Sequence, residues 1–164
     1  MKRISILAGL LWLSITGFSQ QGMYLQLGSF PADEATGQPV LAYSHGLSNS
    51  TNLHQGGGSG AGKVNVQDLS LTIHSGKLSM KFRELISQGT HVPDAKLVFY
   101  NNSKKLYYRI TLTDVVISSI SYGSSCGKNS CETPTENVTL HFAKIKWEDL
   151  INASSFEFDI VAGN

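Results

Sequence analysis

Charge is scarce in this chain, and what there is balances. Lysine, arginine, aspartate and glutamate make up 15% of the 164 residues, with 13 basic against 12 acidic side chains. Such a balance supplies no broad basic field, which argues against nucleic acid or an anionic lipid surface as a partner; the basic side chains are scattered or merely paired, as at Lys104 and Lys105. Cysteine is nearly absent, with Cys126 and Cys131 alone, so a small fold stapled by several bridges is excluded. His45, His54, His74, His91 and His141 lie far apart, and none forms the H-x-x-x-H or C-x-x-C spacing that would place ligands on one metal, so neither metal nor cofactor is expected. No G-x-S-x-G nucleophile elbow occurs. Asp68, Asp114 and Glu136 sit in or beside strand-like segments and can meet across a sheet as paired carboxylates, although nothing in their spacing requires it. An enzyme therefore has no constellation to stand on.

A long hydrophobic run is missing too, apart from residues 4–18. That run follows Lys2 and Arg3, and Gly17 and Ser19 provide small residues before a cut ahead of Gln20, the order of a secretory signal peptide over residues 1–19. It falls short of the roughly 20 apolar residues that cross a bilayer, so no membrane insertion is expected. Loss of Lys2 and Arg3 would leave 11 basic against 12 acidic residues, about −1, on residues 20–164, which by size form one domain. This reading places the protein in the periplasm or outside the cell. A start at Met23 is the rival, and would keep it cytoplasmic before any secretion.

What the chain does have is glycine, 16 in all, most densely in GGGSGAGK from Gly56 to Lys63. Gly57, Gly62 and Lys63 fit most of a phosphate-binding G-x-x-x-x-G-K, but Val64 stands where a Ser or Thr would bind magnesium. Residues 64 onward alternate with period two, and a phosphate loop must feed a helix N-terminus. Nucleotide binding is thereby disfavoured, and residues 48–62 read as one long exposed loop.

The rest is mainly strand. Segments 23–27 and 40–47 open the pattern. In the third strand Val64 and Val66 share one face whereas Leu69, Leu71 and Ile73 take the other, which predicts a bulge or bend at Gln67–Asp68. The same slip recurs where Val138, Leu140 and Phe142 give way to Ile145 and Trp147. Strands that change faces at bends suit a closed barrel. One helix is expected over 77–88, with Leu78, Phe82, Leu85 and Ile86 as its apolar stripe, Ser75 as cap and Gly89 as a left-handed stop. A hairpin follows over 96–100 and 106–112, then an antiparallel pair over 115–122 and 136–147, and a last edge strand over 156–161. Cys126 and Cys131 lie in the tip of that pair, and in an exported protein their spacing favours a disulfide tying down a loop. Phe99, Tyr100, Tyr107 and Tyr108 can make an aromatic face, yet facing aromatics more often stabilise a sheet, and alternation sends Tyr107 and Tyr108 to opposite sides.

Several stretches together resemble the haemolysin-coregulated protein (Hcp) family of type VI secretion: MYLQL at Met23, QPVLAYSHGLSN at Gln38, GGGSGAGKVNVQDLSLT at Gly56, SMKFRELISQGTH at Ser79, LYYRITLTDVVISSISYG at Leu106 and PTENVTLHFAKIKWE at Pro134. The match covers about residues 23–148, with a divergent tail over 149–164. The resemblance implies a two-sheet antiparallel β-barrel with one flanking α-helix, six copies closing into a ring, rings stacking into a tube, no catalysis, and small effector proteins carried in the lumen. It also maps the family's assembly loop onto Ser48, His54, Gly56, Gly57, Gly58, Gly60, Gly62 and Lys63. The alternative is an exported barrel of this fold used as a binding or surface module.

Overall fold

The computed structural model describes residues 22–30, 37–49, 64–76, 78–128 and 130–163. Nine strands and one helix follow in chain order: β1 (Gly22–Leu27), β2 (Gln38–Ser44), β3 (Leu47–Asn49), β4 (Val64–Val66), β5 (Leu69–His74), α1 (Ser79–Gln88), β6 (Val92–Tyr100), β7 (Leu106–Gly123), β8 (Thr135–Asp149) and β9 (Ser154–Asp159). The main sheet runs β5-β2-β1-β6-β7-β8-β9, and β5 also pairs with β8. That extra pairing closes six strands into an antiparallel barrel and leaves β9 as an edge. β3 and β4 form a separate two-stranded sheet.

Closure follows from where the strands change faces. Between β4 and β5 the chain breaks at Gln67 and Asp68, as the parity of its valines and leucines requires, so β4 joins β3 while Leu69, Leu71 and Ile73 turn into the core. In the β7–β8 ladder both strands switch at one rung. Ile110 and Leu112 are buried before Asp114, Val115 and Ile117 after it, and the pairs Leu112↔Ile145 and Val115↔Phe142 bracket the change. Asp114 itself takes φ 53, a left-handed conformation that a short polar side chain tolerates. One residue off the pleat reverses every side chain beyond it, and the 18-residue strand bends instead of running flat. The expected segments 106–112 and 115–122 are therefore one bent strand.

Helix α1 presents Leu78, Phe82 and Leu85 to the barrel core, with Ile86 partly covered. Gly89 ends it at φ 60, its N–H bonded to the Ile86 carbonyl while Thr90 N–H reaches Leu85 O. The start differs from expectation. The helix begins at Ser79 after Leu78 with no side-chain cap, and Ser75 Oγ donates instead to Glu136 Oε1 at 2.8 Å. Ser75 lies three residues before the N-cap position, Leu78, too far upstream for its oxygen to accept from the first-turn N–H groups.

Candidate assembly surface

The segment expected as one strand over 40–47 divides at His45 and Gly46. Gly46 permits the corner: its carbonyl accepts from Gln67 N–H at 2.9 Å, and a Cβ there would lie 2.7 Å from Gln67 Oε1. Past the corner, β3 and β4 form a small flap, with Val64 and Val66 packed partly against the core, and its two strands lead into residues 50–63. Ser48, expected at the start of a loop, is a strand residue paired with Asn65. His54, Gly56, Gly57, Gly58, Gly60, Gly62 and Lys63 lie outside the described residues, as do residues 1–19 of the expected leader.

Between the flap and β9 runs a shallow apolar cleft of ≈ 290 Å³ lined by Leu47, Ser48, Asn49, Val64, Phe156 and Phe158. Leu47 is 49% exposed and Phe156 59%, with Phe156 stacked on Trp147 at 5.7 Å between ring centroids. Leu150, Ile151 and Val161 of the tail are exposed as well. Residues beyond 148 thus contribute a strand and a hydrophobic surface. Alternation of Phe156 and Phe158 was a weak signal for the strand; nothing local indicated that it would border the flap.

At the far end of the β7–β8 ladder residues 124–128 and 130–134 project as an exposed finger, with a disulfide joining Cys126 to Cys131. Gly127 N–H to Ser130 O and Glu132 N–H to Ser125 O, each 2.8 Å, continue the hairpin to its tip.

The three carboxylates considered for a catalytic pair are kept apart, each with its own base. Asp68 Oδ1 meets His141 Nδ1 at 2.8 Å and Asp114 Oδ1 meets His91 Nδ1 at 2.6 Å. Glu136, with no solvent exposure, accepts from Arg83 Nη2 and Ser75 Oγ, both at 2.8 Å on Oε1. Burial alone would raise its carboxyl, but the bonds from Ser75, Arg83 and Ser79 outweigh that and hold it below its ordinary range. Its Oε2 stays unbonded. Among the described residues no group of three or more His, Cys, Asp or Glu side chains is placed to hold a metal ion.

The aromatic residues behave as sheet cement. Phe99 is buried, touching Tyr43, Tyr107 and Tyr108 edge-on, while Tyr108 packs partly against the core and Tyr107 is half exposed. Outward charges pair along the ladder: Glu148 bonds Arg109 Nε at 2.7 Å, which keeps its carboxyl low, and Lys144 pairs with Asp159 of β9, which raises the ammonium and lowers the carboxylate.

Comparison with known proteins converges on one family. Residues 13–148 match the family described as type VI secretion system effector, Hcp. Protein hcp1 of Pseudomonas aeruginosa is 46% identical over 87 residues, a match spanning 51% of this chain and 52% of that one, about half the length of each. Hcp1 from Salmonella typhimurium superposes with a TM-score of 0.68 at 22% identity, covering 85% of this chain and 95% of that one. A type VI secretion system effector from Yersinia pestis gives 0.65 at 19% identity, over 84% of this chain and 98% of that one. At those identities the likeness establishes the fold, and the match over residues 13–148 establishes kinship.

Proposed function

Since the chain belongs to the Hcp family of type VI secretion, we propose that it is a noncatalytic tube subunit, six copies closing into a ring whose stacked repeats carry small effector proteins. The observation that carries this reading is the family match across residues 13–148, which spans the whole barrel from β1 to nearly the end of β8. The geometry supports it. A closed barrel is rigid and presents different surfaces on different sides, and a ring built from unlike faces stays finite when the rotation between neighbours closes. The flap and the cleft beside β9 supply apolar and strand-edge surface suited to a neighbouring copy.

Light scattering on the full chain tests the ring. The expected mass is that of a hexamer, and deletion of residues 50–62 lowers it; a monomer at high concentration overturns the reading. The leader over 1–19 belongs to the same proposal as a separate question, because the family match already begins at residue 13. Mass spectrometry of the N-terminus answers it: Gln20 or Gln21 means export through a cleaved leader, Met23 a cytoplasmic subunit delivered by the secretion machine.

A further inference from the structure

His45 sits at the corner where β2 leaves the barrel for the flap, its ring between Phe142 and Trp147 at centroid distances of 5.9 and 5.7 Å. Trp147 is stacked in turn on Phe156, so the imidazole ends a row of rings that runs to the edge strand, where Phe156 lines the cleft with Leu47 and Val64 of the flap. Both ring nitrogens are shielded from solvent, and neither makes a hydrogen bond. A neutral imidazole always carries one N–H donor, so the site already tolerates an unsatisfied group. A second proton would add a charge and a second donor, while the Gln67 backbone, which lies outside good hydrogen-bond geometry, could receive one N–H at most.

We propose that His45 is an acid-released latch for the β3–β4 flap: a proton on its ring drives the imidazole out from between Phe142 and Trp147 and frees the flap from the barrel. The groups around it bear this out. From the 67–68 corner the Asp68 carboxylate favours the charged ring, but Asp68 is engaged by His141 at 2.8 Å and Ser118 Oγ at 3.2 Å. On β8 and β9 the neighbours of the ring row that carry charge, Lys144, Lys146, Glu148, Glu157 and Asp159, alternate with Ile145, Trp147, Phe156 and Phe158. Lys144 is spent on Asp159, and Lys146 on Glu148. The aromatic faces attract a cation, yet burial dominates and holds the ring below the ordinary histidine range, against the weaker pulls of the Gln67 backbone and Asp68. The inference does not depend on what residues 50–63 bind.

Hydrogen exchange of the full chain, corrected for the intrinsic effect of pH, tests it. Amides of β3 and β4 are expected to open up to tenfold more per pH unit below about 6.5, while those of β6 and β7 stay protected. His45→Phe should abolish this acid response, and His141→Gln should keep it. Equal flap protection at both ends of the range overturns the latch, as does an acid response surviving in His45→Phe, or one lost in His141→Gln, which would make the Asp68–His141 pair the sensor. Should His45→Phe not fold, the His45 C2–H resonance of the unmodified protein decides. A midpoint below that of free histidine that coincides with flap opening supports the latch, and a midpoint at or above it sinks it.

Discussion

Leu71 and Leu47 are the same residue type in strands of two different sheets, yet Leu71 is 1% exposed and Leu47 49%. Leu71 belongs to β5, which is paired on both sides, by β2 and by β8, and its side chain enters a core shared with Phe82, Phe142 and Ile145. Leu47 belongs to the two-stranded flap and lines the cleft beside β9. A barrel without free edges satisfies both its backbone and its apolar faces within one chain, whereas a flap and an edge strand satisfy neither. The barrel therefore stands by itself, and the flap with β9 is where a partner has something to gain.

The sharpest way to break that contrast is to cut volume from each side. Phe82→Ala should cost about 3–5 kcal/mol in urea unfolding followed by circular dichroism, as expected for a fully buried ring. Leu47→Ala should stay within about 0.5 kcal/mol of the unmodified protein; a loss comparable to that of Phe82→Ala would make the flap part of the core.

Next in size is the ion pair that binds α1 to β8. Arg83→Met leaves the Glu136 carboxylate buried without its cation, for a loss of about 3 kcal/mol, since Arg83 is itself partly exposed. Because the folded-state carboxyl is held below its unfolded value, the folded state binds fewer protons. Its contribution is complete above the ordinary carboxylate range, near 4.5, and disappears as pH falls through the lower folded value. Glu136→Gln should flatten that part of the stability curve between pH 5 and 3, and an unchanged slope would rule Glu136 out as its source.

Reducing the Cys126–Cys131 bridge should cost about 2 kcal/mol at most, because the loop it closes is short. Proteolysis is expected to strike first within residues 124–134, and an intact finger after reduction would show that hairpin hydrogen bonds alone hold it. Smallest in stability, and decisive for the contrast, is Leu47→Ser with Phe156→Ser. Unfolding should barely change, while light scattering should show smaller particles; an intact assembly would move the partner's contact elsewhere.

Much of the barrel was legible because its signals are local. The parity switch at Gln67–Asp68 and the slip from Phe142 to Ile145 can be counted along the chain, and the period of Leu78, Phe82 and Leu85 with Gly89 after it marks a helix and its end. Ser75 misled because the helix starts further on, with Leu78 at the N-cap position, and the serine hydroxyl is left to bond Glu136, 61 residues away. Asp114 gave no warning of its left-handed turn; only the ladder shows β7 and β8 changing faces on the same rung. Nothing local set His45 apart from the other histidines, since the rings beside it come from Phe142 and Trp147, about a hundred positions further on.

Alternation, spacing and composition by themselves determined that this chain is mainly β, that its strands bend, that one amphipathic helix flanks them, and that its motifs resemble one family. Those properties depend on neighbours a few residues apart, where backbone geometry repeats. The tertiary structure alone decided that β5 and β8 meet to close the barrel, that Asp68, Asp114 and Glu136 each find a base, and that the ring nitrogens of His45 are shielded beside Phe142 and Trp147. Such outcomes depend on which distant groups compete for the same space and the same hydrogen bonds, and that competition exists only once the chain has closed on itself.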